Sequence, residues 1–120
     1  MRIDIHTGSF PLTESLRKHI EHRVRSSLNW AQQGLRNVTL RLDDLNGPKG
    51  GADKSCRIEI PIAGGTPVVI HEVQSDLYAA IDRAVNRAGH AVSRKLARKR
   101  ELSTRRLFPK LISDADLASL

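Results

Sequence analysis

Residues 76–100 read DLYAAIDRAVNRAGHAVSRKLARKR, and this stretch combines an apolar helix face with a cationic one. At roughly 100° per residue, one side of the predicted helix collects Leu77, Ile81, Ala84, Val85, Ala88, Val92 and Leu96. The other side carries a cationic stripe about 80° wide, formed by Arg83, Arg87, His90, Arg94 and Arg98. The pattern predicts a helix that joins a core through one face and presents positive charge on the other.

Acidic residues are almost absent from this part of the chain. Between Arg83 and Arg106 there are nine Lys or Arg residues and a single acid, Glu101. A salt-bridged surface helix alternates the two signs of charge, so this composition favours an anion-binding surface over ordinary solvation of a helix exterior. We interpret the cationic stripe as a docking surface for a polyanion.

The composition of the whole chain supports a polyanionic partner. The protein has 120 residues, a formal net charge of +7 and a pI near 10.3, which favours nucleic acid or an anionic membrane over small acidic substrates. The length suits one domain and a tail. Cys56 is the single cysteine, and no zinc-type spacing is present. Neither a signal peptide nor an apolar run of about 18 residues occurs, so we expect a cytoplasmic protein.

Aromatic residues are too few for extensive base stacking. The chain contains Phe10, Trp30, Tyr78 and Phe108, and none lies in a tandem arrangement on a predicted strand. Many basic residues and few aromatic ones indicate binding through the phosphates and the backbone shape of a nucleic acid. Such binding tolerates variation in the nucleic-acid sequence and weakens as the salt concentration rises. Folded RNA fits this description better than a short sequence motif.

Hydrophobic periodicity predicts the element order. Alternating apolar residues indicate strands at residues 2–6, 38–42, 56–62 and 68–73. A helix capped by Thr13 runs from Glu14 to about Leu28, and a second helix is capped by Ser75 or Asp76. The predicted fold is α+β with the order β-α-β-β-β-α, in which both helices pack on one face of a four-stranded sheet. We assign residues 1–101 to this domain and residues 102–120 to a C-terminal tail.

Two sequence stretches and the element order resemble one known family, the ribosome hibernation promoting factors, also called ribosome-associated inhibitors. The stretches are TESLR at residues 13–17 and DLYAAID at residues 76–82, the second followed by its basic run. The resemblance covers about residues 2–101. It implies a fold similar to double-stranded-RNA-binding domains and a bacterial-type, cytoplasmic translation regulator of the stress response. Such a protein is not an enzyme, uses no cofactor or metal, and lies between the head and body of the small ribosomal subunit, where it obstructs the tRNA and mRNA sites.

The same resemblance implies which residues contact ribosomal RNA. The small-subunit phosphates would be bound by Arg83, Arg87, His90, Arg94, Lys95, Arg98, Lys99 and Arg100, with Lys18 and Arg25 as a second patch. The implied partner is the small subunit with its rRNA, without a membrane or a small-molecule substrate. Off the ribosome we expect a monomer.

Two departures from the family pattern concern the loop and the tail. The Gly-rich segment at residues 46–53 is longer than the simple turn of the short members, which suggests a separate subgroup. Long members carry a C-terminal domain that pairs two ribosomes, whereas the residues after Glu101 have neither the length nor the strand pattern for one. We therefore do not expect this chain to pair ribosomes by itself.

Other interpretations of individual residues remain open. His19 and His22, three apart on one helix, have a spacing that can share a metal, although membership of a basic surface is the simpler reading. Cys56 lies in phase with apolar residues, which favours a buried hydrophobe over a reactive thiol. The alternative functions are a general RNA-binding or membrane-surface protein and a sigma-factor-modulating regulator.

Overall fold

The computed structural model describes residues 1–8, 10–45 and 53–107 of the chain, without the side chains of residues 32, 33 and 99–107. The elements follow the predicted β-α-β-β-β-α order with one added 3₁₀ helix. They are β1 (Arg2–Thr7), α1 (Glu14–Leu28), the 3₁₀ helix (Asn29–Gly34), β2 (Asn37–Asp44), β3 (Lys54–Ile60), β4 (Val68–Gln74) and α2 (Leu77–Leu107).

The four strands form one mixed sheet in the order β1-β2-β3-β4. β1 pairs with β2 in parallel because α1 connects them as a crossover, and the two following pairs are antiparallel. The structure confirms the predicted fold class, and the sheet leaves β1 and β4 as its two edges.

The core lies between one face of the sheet and the two helices. Leu40, Cys56 and Ile58 are fully buried or nearly so on the central strands, and α1 buries a row with helical spacing. That row consists of Leu16, Ile20, Val24 and Leu28. From α2, the predicted apolar face contributes Ile81, Ala84, Val85 and Ala88, whereas Leu77 is half-buried. Farther along α2, Val92 is buried and Leu96 is half-buried. The apolar side chains at alternating strand positions therefore pack against those on the apolar faces of the helices, and together they form a single apolar layer.

Local sequence signals set the ends of the elements. The Thr13 hydroxyl accepts a hydrogen bond from the Leu16 backbone N–H at 3.2 Å, and the Asp76 carboxylate accepts one from the Ala79 N–H at 3.3 Å, as the capping predictions require. The third strand ends at Ile60 rather than at the predicted residue 62, because Pro61 has no N–H to donate to a ladder. The 3₁₀ helix after α1 was not predicted.

The chain forms two compact units, Met1–His90 and Ala91–Leu120, and α2 continues from the first into the second. Since α2 ends at Leu107, the helix extends beyond residue 101, the predicted end of the domain; that boundary stays a prediction. Most of the predicted Gly-rich loop, residues 46–52, lies outside the described residues, as do residues 108–120 of the predicted tail. None of the helices in the described part is long and apolar enough to cross a membrane.

Within the first unit, α1 and α2 lie side by side and run in the same direction. His19 contacts Asp82, and Arg23 contacts Asn86 one turn later. One further turn on, a Cβ built on Gly89 would lie 3.7 Å from the Ser27 carbonyl oxygen, which is ordinary van der Waals contact. The outer surfaces of both helices are therefore parts of one continuous protein surface.

Candidate nucleic-acid interface

The first-unit part of α2 separates its apolar and cationic residues as the sequence predicts. Ile81, Val85 and Ala88 are buried, whereas Arg83 and His90 are exposed on the outer side. Neither exposed side chain forms an ion pair with another described residue, so both are available to an external anion. The helix thus uses one face for folding and leaves the other for contact.

Arg87 differs from the other members of the cationic stripe because it has internal partners. Its guanidinium donates to the Glu72 carboxylate at 2.8 Å and to the His71 backbone carbonyl at 3.1 Å. The hydrogen bond from Arg87 lowers the pKa of Glu72, and the nearby Arg83 charge adds to the effect. Both bonds use the same nitrogen of a side chain that is 55% exposed. Arg87 therefore both fastens α2 to β4 and retains donors for a phosphate.

In the second unit, α2 carries further cations. Arg94 and Arg98 are exposed, and Lys95 is half-buried. Lys99 and Arg100 continue the helix, but their side chains lie outside the part that the structure describes. The predicted contact residues of this segment are therefore helical throughout, and two of them are shown at the surface.

The two residues of the second predicted patch, on α1, differ in their partners. Lys18 forms an exposed ion pair with Glu14, one turn earlier, at 3.4 Å. Exposed pairs of this kind contribute about 0.3–0.5 kcal/mol, so a phosphate can replace the Glu14 carboxylate. Arg25 is exposed and makes no ion pair with a described residue. Arg25 is therefore the stronger candidate of the two.

A polar cluster between α1 and α2 neutralises an acid beside the cationic surface. Asp82 accepts from the His19 imidazole at 2.8 Å and lies 3.1 Å from the Arg23 guanidinium. The Tyr78 ring contacts the His19 ring edge-on, with centroids 4.8 Å apart. Sequence reasoning missed this cluster, because residues 63 positions apart carry no local signal of their contact. Its consequence is that Asp82 does not stand as a free negative charge next to Arg83.

The sheet face opposite the helices is balanced in charge, unlike the helix side. Strand register places four basic residues, His6, Arg41, Arg57 and His71, in one row across the sheet. The neighbouring acids compensate them, because Asp43 pairs with Arg41 at 3.2 Å and Glu59 follows Arg57 on the same face. The surplus of positive charge is therefore on the helices.

The remaining candidate residues have structural surroundings. Burial raises the pKa of the Cys56 thiol to about 12, which disfavours the reactive thiolate. Lys54 donates to Asp44 at 2.9 Å and to Asp53 at 3.3 Å, and the hydrogen bond to Asp44 raises its pKa. Among the described residues, no group of three His, Cys, Asp or Glu side chains is arranged to hold a metal ion. The cationic helix surface is thus the best-defined site in the described part of the chain.

Comparison with known proteins gives one family and a shared fold. Residues 3–100 match the family model described as "Sigma 54 modulation protein / S30EA ribosomal protein". The crystal structure of the Thermus thermophilus Protein Y N-terminal domain is 30% identical, with 78% of this chain and 98% of that chain covered and a TM-score of 0.65. A ribosomal subunit interface protein from Coxiella burnetii, at 14% identity, shares the fold with a TM-score of 0.69 over 81% of this chain and 99% of its own. No curated protein sequence matches.

Proposed function

Because the chain belongs to the sigma 54 modulation protein / S30EA ribosomal protein family, we propose that it binds the small ribosomal subunit and inhibits translation by occupying the tRNA and mRNA sites. Members of this family are non-enzymatic ribosome-associated regulators of hibernation and translation, in agreement with the sequence-based expectation of a protein without catalytic activity. The printed description of the Coxiella burnetii protein, a ribosomal subunit interface protein, supports the ribosome as the partner.

The observation that carries the proposal is the unbalanced charge of the helix surface. Arg25 on α1 and Arg83, Arg94 and Arg98 on α2 are exposed arginines without an ion pair to any described side chain, and His90 is also exposed on α2. Guanidinium groups bind phosphate through several donors at once, and rRNA supplies a dense row of phosphates. The remaining predicted contacts, Arg87, Lys95, Lys99, Arg100 and Lys18, are part of the same proposal as further phosphate contacts.

The mechanism is steric. A folded domain fixed by phosphate contacts excludes tRNA and mRNA from the volume it occupies, and this needs neither a cofactor nor a chemical step. The proposed ribosome-binding region is residues 1–101, with residues 102–120 as a tail. Shape and charge position the domain, and no base code is required.

Sedimentation with separated ribosomal subunits tests the proposal. We expect co-sedimentation with small subunits and not with large ones. If the protein makes about four phosphate contacts, raising the salt concentration from about 50 to about 200 mM should lower its affinity for the small subunit about 50- to 150-fold. Prior incubation with the protein lowers the amount of tRNA that small subunits retain. Equal binding to both subunits, or undiminished tRNA retention on protein-saturated small subunits, would contradict the proposal.

A further inference from the structure

Trp30 presents an aromatic surface to solvent next to the helix pair. The side chain is 53% exposed and lies in the 3₁₀ helix directly after α1, between the buried residues Leu28 and Ala31. Its indole Nε1 donates to the Ser27 backbone carbonyl at 2.8 Å. Because this bond satisfies the ring's only donor, the surface left for a ligand is the π face. The bond also restricts the ring's orientation, which lowers the entropy lost when a ligand stacks on it.

The chain segments that meet beside the ring carry exposed basic residues and no acid. Residues 22–35, which include Arg25, contain no Asp or Glu, and residues 83–90 of α2, which include Arg83 and His90, contain no Asp or Glu either. These two stretches meet at Ser27 and Gly89, since the Ser27 carbonyl that holds Trp30 would lie 3.7 Å from a Cβ on Gly89. Arg25 and His90 are exposed in the same two stretches. A polyanion attracted to this surface would therefore reach the indole.

Trp30 is also isolated from the other large apolar side chains at the described surface. Leu45 follows the far end of β2, Tyr78 lies at the opposite end of the helix pair, and Val69 is on the other face of the sheet. A protein-docking hot spot usually belongs to a contiguous apolar patch that excludes water, and these positions do not form such a patch around Trp30. A single ring among cations matches instead one flat aromatic group attached to phosphates.

We propose that Trp30 stacks on an unpaired RNA base while the neighbouring cations hold the phosphates. This inference rests on the proposed function and adds a base contact to a surface otherwise described by phosphate contacts alone. Every base has a π face, so the contact is tolerant of sequence but requires an unstacked nucleotide at that position. It predicts that the bound RNA has a single-stranded or bulged base at the end of α1.

The chain's single tryptophan allows a direct test by fluorescence. The protein is titrated with a short single-stranded oligoadenylate and, separately, with inorganic polyphosphate, a polyanion without bases. Stacking quenches indole emission, so we expect quenching by the oligoadenylate and an unchanged spectrum with polyphosphate at concentrations that displace labelled RNA. The same response to both polyanions would overturn the proposal, as would no response to the oligoadenylate.

Three variants test the contact on the ribosomal subunit. Trp30→Leu keeps an apolar side chain without a π system and should weaken small-subunit binding about 5- to 100-fold. Trp30→Phe should restore most of the affinity. Tyr78→Leu removes an exposed ring at the other end of the helix pair and serves as the control that binds like the wild type.

The outcomes separate this inference from the proposed function. If Trp30→Leu binds small subunits as tightly as the wild type, stacking is wrong and the proposed function stands. If the wild type fails to sediment with small subunits, the proposed function is wrong, and the oligoadenylate titration alone decides whether Trp30 stacks on bases.

Discussion

Arg87 on α2 donates to Glu72 on β4 at 2.8 Å and to the neighbouring His71 carbonyl at 3.1 Å. The His71 carbonyl belongs to an edge strand, where an unpaired acceptor would invite another strand. One arginine of the cationic stripe thus covers part of the open edge and orients the helix. The stripe contains a structural member and purely exposed members, and they are separable by mutation.

The Glu72–Arg87 pair gives stability a dependence on acid pH. The pKa of Glu72 is lowered below its ordinary value of 4.5, so the contribution of the pair is present above that value and is lost as the pH falls through the lower folded-state pKa. We expect Glu72→Gln to cost about 0.5–1 kcal/mol at pH 7 and less at pH 3, which lies below the ordinary pKa. Urea unfolding of both proteins at the two pH values measures this; a difference that does not shrink with acid would contradict it.

Charge reversal at Arg87 and at Arg83 should affect folding differently. Arg87→Glu places two carboxylates together on the side of β4 that faces α2, which we expect to reduce the free energy of unfolding by about 1–3 kcal/mol. Arg83→Glu, at an exposed position, should change it by less than about 0.5 kcal/mol. Thermal unfolding of the two variants provides the measurement, and equal losses would show that the Arg87 contacts do not stabilise the fold.

Two glycine-to-alanine substitutions should change the free energy of unfolding in opposite directions. Gly89 lies inside α2, where a Cβ meets nothing closer than 3.7 Å, so Gly89→Ala should stabilise the protein by about 0.5–1 kcal/mol through helix propensity. Gly64 has a φ of 74° in the turn before β4, so Gly64→Ala should cost about 1–2 kcal/mol. Denaturant midpoints test both. A destabilising Gly89→Ala would mean that α1 and α2 lie closer together than described.

Cys56 should be inert in the folded protein. Its thiol is buried and has a pKa of about 12, so almost no thiolate exists at pH 8. We expect alkylation by iodoacetamide to be negligible in native buffer and to reach the rate of a free cysteine in denaturant. Rapid modification of the native protein would instead support the redox reading of this residue.

Periodicity predicted most of the fold because its signals are local. The caps at Thr13 and Asp76, the alternating apolar residues of the strands and the two faces of α2 all depend on neighbours within a few positions. The end of β3 was misplaced by two residues because alternation continued through Ile62 after Pro61 had removed a donor.

The site was less predictable because its details depend on tertiary contacts. Nothing near Arg87 in sequence indicates Glu72, and nothing near Asp82 indicates His19. Likewise, the number of aromatic residues argues against extensive stacking but does not reveal that Trp30 is exposed beside Gly89. Helical spacing could identify a cationic face, whereas only the packed structure shows which of its charges are already engaged.

We propose that exposed arginines of α2 bind the phosphates of the small subunit. We would sediment small subunits with the wild type, with Arg83→Glu/Arg94→Glu and with Arg57→Glu, a charge reversal on the opposite sheet face, across a salt series. The double variant should fold normally, lose most of its binding and have a salt slope smaller by about two, whereas Arg57→Glu should bind like the wild type. Unchanged binding by the folded double variant, or an equal loss for Arg57→Glu, would contradict it.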